Sequence, residues 1–298
     1  MPKPSYTLGH NSFSDLTLDE FHENFKLGRH SPGVLAPRKN RVAVATAADS
    51  TDLPKQANWV TKGAVTAVKN QGMCGSCWAF SAVGAIEGAR FIDTGDLVSL
   101  SEQELVDCDA GDNGCGGGLM DNAFLFDEHS GGLCSEEDYA YAGHRHWLAG
   151  CYKDQGLCDD VPHSEVSSFV DVVSTDADLM KAINIQPVSI AIEADDSGFQ
   201  FYKSGVFDEA CGVNVDHGVL AVGYGVDEES GDKYYLVKNS WGGTWGDEGY
   251  IKLSMKSDNE EDEGQCGILT NASRPILKDN DPADDDAFNG AVGFLKTE

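Results

Sequence analysis

Positive charge is what this 298-residue chain has least of: 21 Lys and Arg stand against 50 Asp and Glu, for a net charge of -29. A nucleic-acid partner needs a basic face to draw phosphate, so that class of function is excluded. Docking on an anionic membrane surface is disfavoured for the same reason. Long apolar runs are missing as well: no stretch approaches the roughly 20 uninterrupted apolar residues of a membrane span. The opening Met1-Pro-Lys-Pro-Ser-Tyr6 lacks the apolar centre of a secretory leader, so any trafficking signal is expected to lie outside these residues. A calcium loop is missing too. The acidic runs Ser257–Gly264 and Asp279–Asp286 do not follow its spacing and read as solvated loop and tail. Asp109–Gly114 comes near, but Gly111 stands at its third position and Met120 where its glutamate belongs. No internal repeat is visible.

What is present is globular. The apolar and charged fractions are 41% and 24%, and the length suits one large domain or two small ones. Nine cysteines are more than a cytosolic chain without metal usually carries. Eight paired and one free, reactive thiol is the economical reading of an odd number. Gly28–Asp52 is poor in large apolar residues and holds Pro32, Pro37 and the small-residue run Ala43–Ala48, so it reads as an exposed linker. From Cys77 to Ile92, Ala79, Val83 and Ile86 share one face of an expected helix. Ser101-Glu-Gln-Glu104 has the form of a capping box opening a short helix toward Asp107. A third helix is expected over Leu119–Asp127. Strands are expected beyond Val166: Val188–Ile192, alternating as if half-buried, then His217–Val222 and Tyr234–Asn239. Helices first and strands after give an α+β class, helical over about 60–165 and β-rich over about 166–275, with a cleft between the two parts.

The chemistry concentrates in Gln71-Gly-Met-Cys-Gly-Ser-Cys-Trp-Ala-Phe-Ser81, whose C-G-S-C-W string surrounds a nucleophilic cysteine. Cys77 opens a helix, where unpaired N–H groups and the helix dipole favour a thiolate. Gln71, six residues earlier, can donate its amide to a developing oxyanion together with the Cys77 N–H. Of eight histidines, His217 in Val215-Asp-His-Gly218 directly precedes an apolar strand. It lies 140 residues beyond Cys77, within the interval of about 130–150 that such a pair shows. Asn239, opening Asn239-Ser-Trp-Gly-Gly243, can accept from one imidazole nitrogen and fix the tautomer, with Trp241 shielding that bond. Taken singly these signals are ordinary. Cys74-x-x-Cys77 alone would serve a zinc site or a redox pair, and His217 and Trp241 alone would be core residues. Their specificity lies in the combination.

Residues 53–275 resemble papain-like cysteine proteases, and most closely the cathepsin L-like branch. The shared strings are Gly63–Thr66, Gln71–Ser81, Ser99–Leu105, Gly117–Asp121, Asp216–Leu220 and Lys238–Gly242. The resemblance implies a papain-like two-subdomain fold and catalytic roles for Gln71, Cys77, His217 and Asn239. It implies the bridges Cys74–Cys115, Cys108–Cys151 and Cys211–Cys266, and leaves Cys134 and Cys158 to form a fourth. Asn11–Phe21 looks like the end of the family's inhibitory pro-segment. Residues 1–52 are therefore read as a truncated pro-region, removed near Thr51–Leu53, and 276–298 as an acidic tail.

By the same resemblance, the pocket for the second side chain before the scissile bond is formed by Gly117, Gly118, Leu119, Met120, Ala191, Gly218 and Asn271, with Trp241 also at the substrate cleft. A mostly apolar lining suits leucine or phenylalanine, and Asn271 makes the floor shallower and more polar. The Asn271-Ala-Ser273 sequon is expected to stay unmodified. Gly116 stands where asparagine is usual, and Asn58-Trp-Val60 replaces Asp-Trp-Arg. No histidine-bearing exopeptidase loop is recognisable, and His144-Arg-His146 reads as loop surface. The expected function is a cysteine endopeptidase working through a thioester, with no metal or organic cofactor. Its expected partners are peptide substrates, its own pro-segment and cystatin-type inhibitors. A monomer in a lysosome or vacuole, or outside the cell, is expected. A non-enzymatic homologue on the same fold is the competing class, and retention of all four catalytic positions speaks against it.

Overall fold

The structure, a computed structural model, describes residues 5–25, 53–146, 150–255 and 263–280. The expected linker, Thr51 and Asp52 of the expected cleavage point, most of the acidic run from Ser257 and the tail beyond Asn280 lie outside the described residues. In chain order the elements are β1 (Tyr6–Leu8), α1 (Leu18–Phe25), β2 (Ala57–Asn58), α2 (Cys77–Thr94), α3 (Glu102–Cys108) and α4 (Met120–Ser130). They continue with β3 (Val166–Asp171), α5 (Asp176–Ile185), β4 (Val188–Ile192), α6 (Ser197–Gln200), β5 (Tyr202–Phe207), β6 (His217–Val226), β7 (Lys233–Lys238), β8 (Tyr250–Ser254) and β9 (Ala272–Leu277). The strands form one sheet in the order β1-β5-β8-β7-β6-β4-β9-β3, with β2 paired to β6.

Helix α2 is the axis of the molecule. It ends at Gly95 in the left-handed conformation, whose N–H reaches the Phe91 carbonyl. Every residue from Cys77 to Arg90 is buried, so α2 has no solvent face before its exposed last turn, where the sequence pattern indicated one core face. The reason is that α2 runs through the middle of one core, between Leu105, Phe124 and Leu133 on the helical side and Ala191, Leu220 and Val222 on the sheet. Phe199, Tyr235, Trp241 and Trp245 belong to a second core. Glycines let the sheet come close: a Cβ on Gly88 would sit 2.5 Å from Pro187, and one on Gly84 would sit 2.8 Å from Leu220.

The caps show how local sequence decides boundaries. Ser101 Oγ accepts from Glu104 N–H at 3.0 Å, the forward half of a capping box. The reverse half is absent, because Glu104 accepts from Cys134 N–H at 2.7 Å and Ser101 N–H bonds the Cys134 carbonyl. Strand β4 differs from the expected half-buried alternation: all five of its residues are buried. It lies between β6 and β9, with α2 against the same sheet, so neither face meets water. The division into helical and β-rich parts is also less strict than expected. β1 and β2, both near the chain start, pair with β5 and β6. In the His144–His146 loop His144 is exposed, whereas His146 is held, its Nδ1 and N–H both bonding the Asp107 carboxylate at 2.7 Å.

Candidate active site

Cys77 sits at the first turn of α2. Its N-cap, Ser76, makes no side-chain cap, so the first amides are not consumed by a neighbouring side chain. The N–H groups of Gly218, Trp78 and Cys77 itself point at the sulfur and favour a thiolate. Burial opposes them more strongly and pushes the thiol up to about 12. Cys77 is the free cysteine. The other eight form Cys74–Cys115, Cys108–Cys151, Cys134–Cys158 and Cys211–Cys266.

Strand β6 brings the histidine to this point. A Cβ on Gly218 would lie 3.3 Å from the Cys77 carbonyl group, a tight contact, so glycine suits a strand that starts this near α2. His217 is buried, and its Nε2 lies 2.7 Å from Asn239 Oδ1. The same Oδ1 accepts from Ser240 N–H at 2.7 Å, which fixes the amide orientation. An amide oxygen only accepts, so Nε2 carries the proton. Nδ1 is left buried without a hydrogen-bond partner, beside the cysteine-bearing helix start. Burial holds the imidazole down at about 4. In the closed site burial thus favours the neutral form of both Cys77 and His217. The Trp241 ring stacks on His217 at 4.6 Å and 23°.

Gln71 is fully buried. Its N–H bonds the Ser240 carbonyl at 2.8 Å, its Oε1 accepts from Ser240 Oγ at 2.6 Å, and its Nε2 donates to the Cys74 carbonyl at 3.0 Å. Tyr141 Oη donates to its carbonyl at 2.8 Å. Ser240 and Tyr141 therefore hold Gln71 in place, and the sequence offered no signal for either beyond adjacency to Asn239.

The predicted pocket residues are contiguous. Ala191 pairs with Gly218 across β4 and β6, and its N–H bonds the Asn271 carbonyl at 2.9 Å. Met120 Sδ is 3.3 Å from where a Gly218 Cβ would be, and Gly117, Gly118 and Leu119 run directly into Met120. Behind the site, Lys238 donates to Thr66 Oγ1 at 3.0 Å, and Thr66 donates to Glu87 at 2.6 Å. Lys69 pairs with Glu102 at 2.7 Å and Glu87 at 3.3 Å. This buried network anchors the residue that precedes Asn239.

The pro-segment-like residues reach the same neighbourhood. Phe13 and Phe21 meet Trp241 edge-on at 5.5 and 5.2 Å. The His22 imidazole bonds the Asp195 carbonyl. Phe21 and His22, with Ala194, Asp195, Asp216, His217 and Trp241, line one cleft. Asp216, absent from the sequence-derived set, is half-buried and accepts from Ala194 N–H at 2.8 Å. Among the described residues two groups have metal-ligand spacing, Asp93/His163/Asp279 and Glu104/Cys134/Asp160. Asp93 lies at the opposite end of α2 from Cys77, and the Cys134 sulfur is in a disulfide.

Residues 53–276 match the family described as Papain family cysteine protease. The chain belongs to that family. This papain-family chain is 46% identical over 293 residues to the KDEL-tailed cysteine endopeptidase CEP2 of Arabidopsis thaliana, covering 95% of itself and 77% of the relative. The ragweed pollen allergen cysteine protease Amb a 11, solved in its proform, superposes with a TM-score of 0.81 at 38% identity, covering 92% of this chain and 83% of that one. The Carica candamarcensis cysteine protease CMS1MS2, solved with E-64, matches with a TM-score of 0.68 at 42% identity, over 75% of this chain and 99% of that one. The α+β fold is therefore papain-like, and the chain is a cysteine endopeptidase, a hydrolase carrying pro-segment residues of its own.

Proposed function

We propose that Cys77, His217 and Asn239 form the catalytic set. The observation that carries this is the 2.7 Å His217–Asn239 bond, which leaves the unprotonated Nδ1 facing no other partner beside the start of α2. Both neutral states have burial as their largest cause. Admission of water and substrate relieves it, and the thiol proton passes from Sγ to Nδ1. The thiolate then attacks the peptide carbonyl. The second Nε2 hydrogen of Gln71 and the Cys77 N–H stabilise the oxyanion. The imidazolium gives its proton to the leaving amine, and water activated by His217 hydrolyses the thioester. The Gly117–Met120 strip, Ala191, Gly218 and Asn271 receive a bulky apolar side chain second before the scissile bond, in the manner of the cathepsin L-like branch.

Residues 1–52 act as pro-segment and linker, 53–275 as the catalytic domain and 276–298 as an acidic tail. Cystatin-type proteins are the expected inhibitors and a monomer the expected state. The eight paired cysteines and the KDEL-tailed relative support a secretory route, ending in a vacuole or lysosome or outside the cell. The test is cleavage of a fluorogenic peptide with leucine or phenylalanine before arginine, at mildly acidic pH with reductant. Cys77→Ala is expected to abolish turnover while leaving the circular dichroism spectrum unchanged. Residual cleavage by that variant would remove Cys77 from the mechanism.

A further inference from the structure

Two carboxyl groups lie buried beneath the strip assigned to the substrate's second side chain before the scissile bond. Asp109 caps the end of α3, and its Oδ1 accepts from Gly111 N–H at 2.7 Å. Asp112 Oδ1 accepts from Leu119 N–H at 3.0 Å and from Asn122 Nδ2 at 2.9 Å. The remaining oxygen of each, Oδ2, is buried without a partner. The two carboxyls interact directly with each other. Two ionised carboxylates at such a place repel, and each leaves a buried acceptor unsatisfied. One proton held between them removes both penalties.

The strip depends on this pair. A Cβ on Gly118 would fall 2.6 Å from Asp112 Cγ and 2.5 Å from the Trp78 ring, so the strip lies directly on the carboxyl. Trp78 in turn donates its Nε1 to the Gly114 carbonyl at 3.1 Å. Asn113 N–H bonds the Gly117 carbonyl at 2.9 Å. Gly116, between them, has no side chain to add. Asp112 is thus the side chain that holds the Leu119 amide.

We infer that Asp109 and Asp112 share one proton, and that this proton fixes the Gly117–Leu119 strip in its substrate-binding position, making Asp112 a positioning residue. Its loss leaves two adjacent carboxylates, whose repulsion displaces Asp112 from the Leu119 N–H. Burial and the Asp109 charge, opposed by the Asn122 hydrogen bond, raise the Asp112 carboxyl to about 7. Burial raises Asp109 also. The groups facing the pair are Asn122 from α4, Trp78 from α2 and Arg145 from the loop after Tyr141, whose charge lowers Asp109. The chemistry is that of a substrate site built for mildly acidic conditions. It rests on the reading of the strip given under Proposed function.

The test is the pH dependence of KM and kcat for the activated full chain with the same fluorogenic peptide. KM is expected to rise on the order of tenfold between pH 5.5 and 8.5, the factor that one unit of differential proton affinity produces. Asp112→Asn, which keeps the acceptor oxygen and a permanent hydrogen, is expected to abolish that rise. Asp112→Ala is expected to lift KM at every pH. Superimposable KM profiles for wild type and Asp112→Asn would overturn the inference. Labelling of Cys77 by iodoacetamide, together with cleavage lost in Cys77→Ala, separates this failure from failure of the catalytic assignment. Carbon-13 NMR of labelled aspartates in Cys77→Ala needs no Asp112 variant to fold. It is expected to show an aspartate titrating near pH 7 that Asp109→Asn removes. Loss of every aspartate proton below pH 5 would also overturn the inference.

Discussion

His217 carries its proton on Nε2 because Asn239 Oδ1 can only accept, and Ser240 N–H holds that oxygen in place. Asn239→Ala removes the acceptor and frees the tautomer. A fall in kcat on the order of a hundredfold, at the low end of what general acid–base catalysis contributes, is expected with little change in KM. A matching rise in KM at constant kcat would make Asn239 a substrate contact instead. The sequence marked Cys77, His217 and Asn239 through their strings, because each sits where a helix or strand must begin or end. It assigned no role to Ser240, Tyr141 or Asp216, although Ser240 and Asp216 lie within those strings. Their roles depend on what faces them across the fold, and a serine or tyrosine is unremarkable in any string.

Among the elements, α2 illustrates what periodicity misses. Its start and its left-handed Gly95 terminus follow local rules, but the all-round burial comes from β6, β4 and β9 on one side and α4 on the other. Gly88→Ala tests the closeness of that packing. Helix propensity favours alanine by about 1 kcal/mol, whereas overpacking against Pro187 costs about 1–3 kcal/mol. A lower urea midpoint is expected in the inactive Cys77→Ala background, and a higher one would mean that Pro187 yields freely. β4 shows the complementary case. Its Val-Ser-Ile-Ala-Ile pattern reads as alternating only because Ser189 is polar. Ser189 Oγ in fact bonds the Ser81 carbonyl at 2.9 Å inside the molecule.

The whole molecule stores its pH response in buried carboxyls. Burial raises Glu102 and Asp127 to about 8, and Asp112 and Asp216 to about 7. Such groups bind more protons folded than unfolded, so their stabilisation is complete below the ordinary carboxylate range and is lost as pH rises through 7 and 8. His217, held at about 4, acts oppositely: its contribution is complete above about 6.5 and is lost as pH falls through 4. The melting temperature of Cys77→Ala is therefore expected to fall between pH 5.5 and 8. A flat or rising curve would show that these carboxyls are ionised in the folded state. The sequence by itself determined the class and the main helices and strands, because caps, turns and backbone periodicity are local, and it nominated Cys77, His217 and Asn239 for the proposed catalytic set. Only the tertiary structure decided which polar groups lose water: Asp112 under the Gly117–Leu119 strip, Asp216 beside His217, and the lysine–glutamate network behind Asn239. Desolvation is a property of everything packed around a group, and no short string of residues contains it.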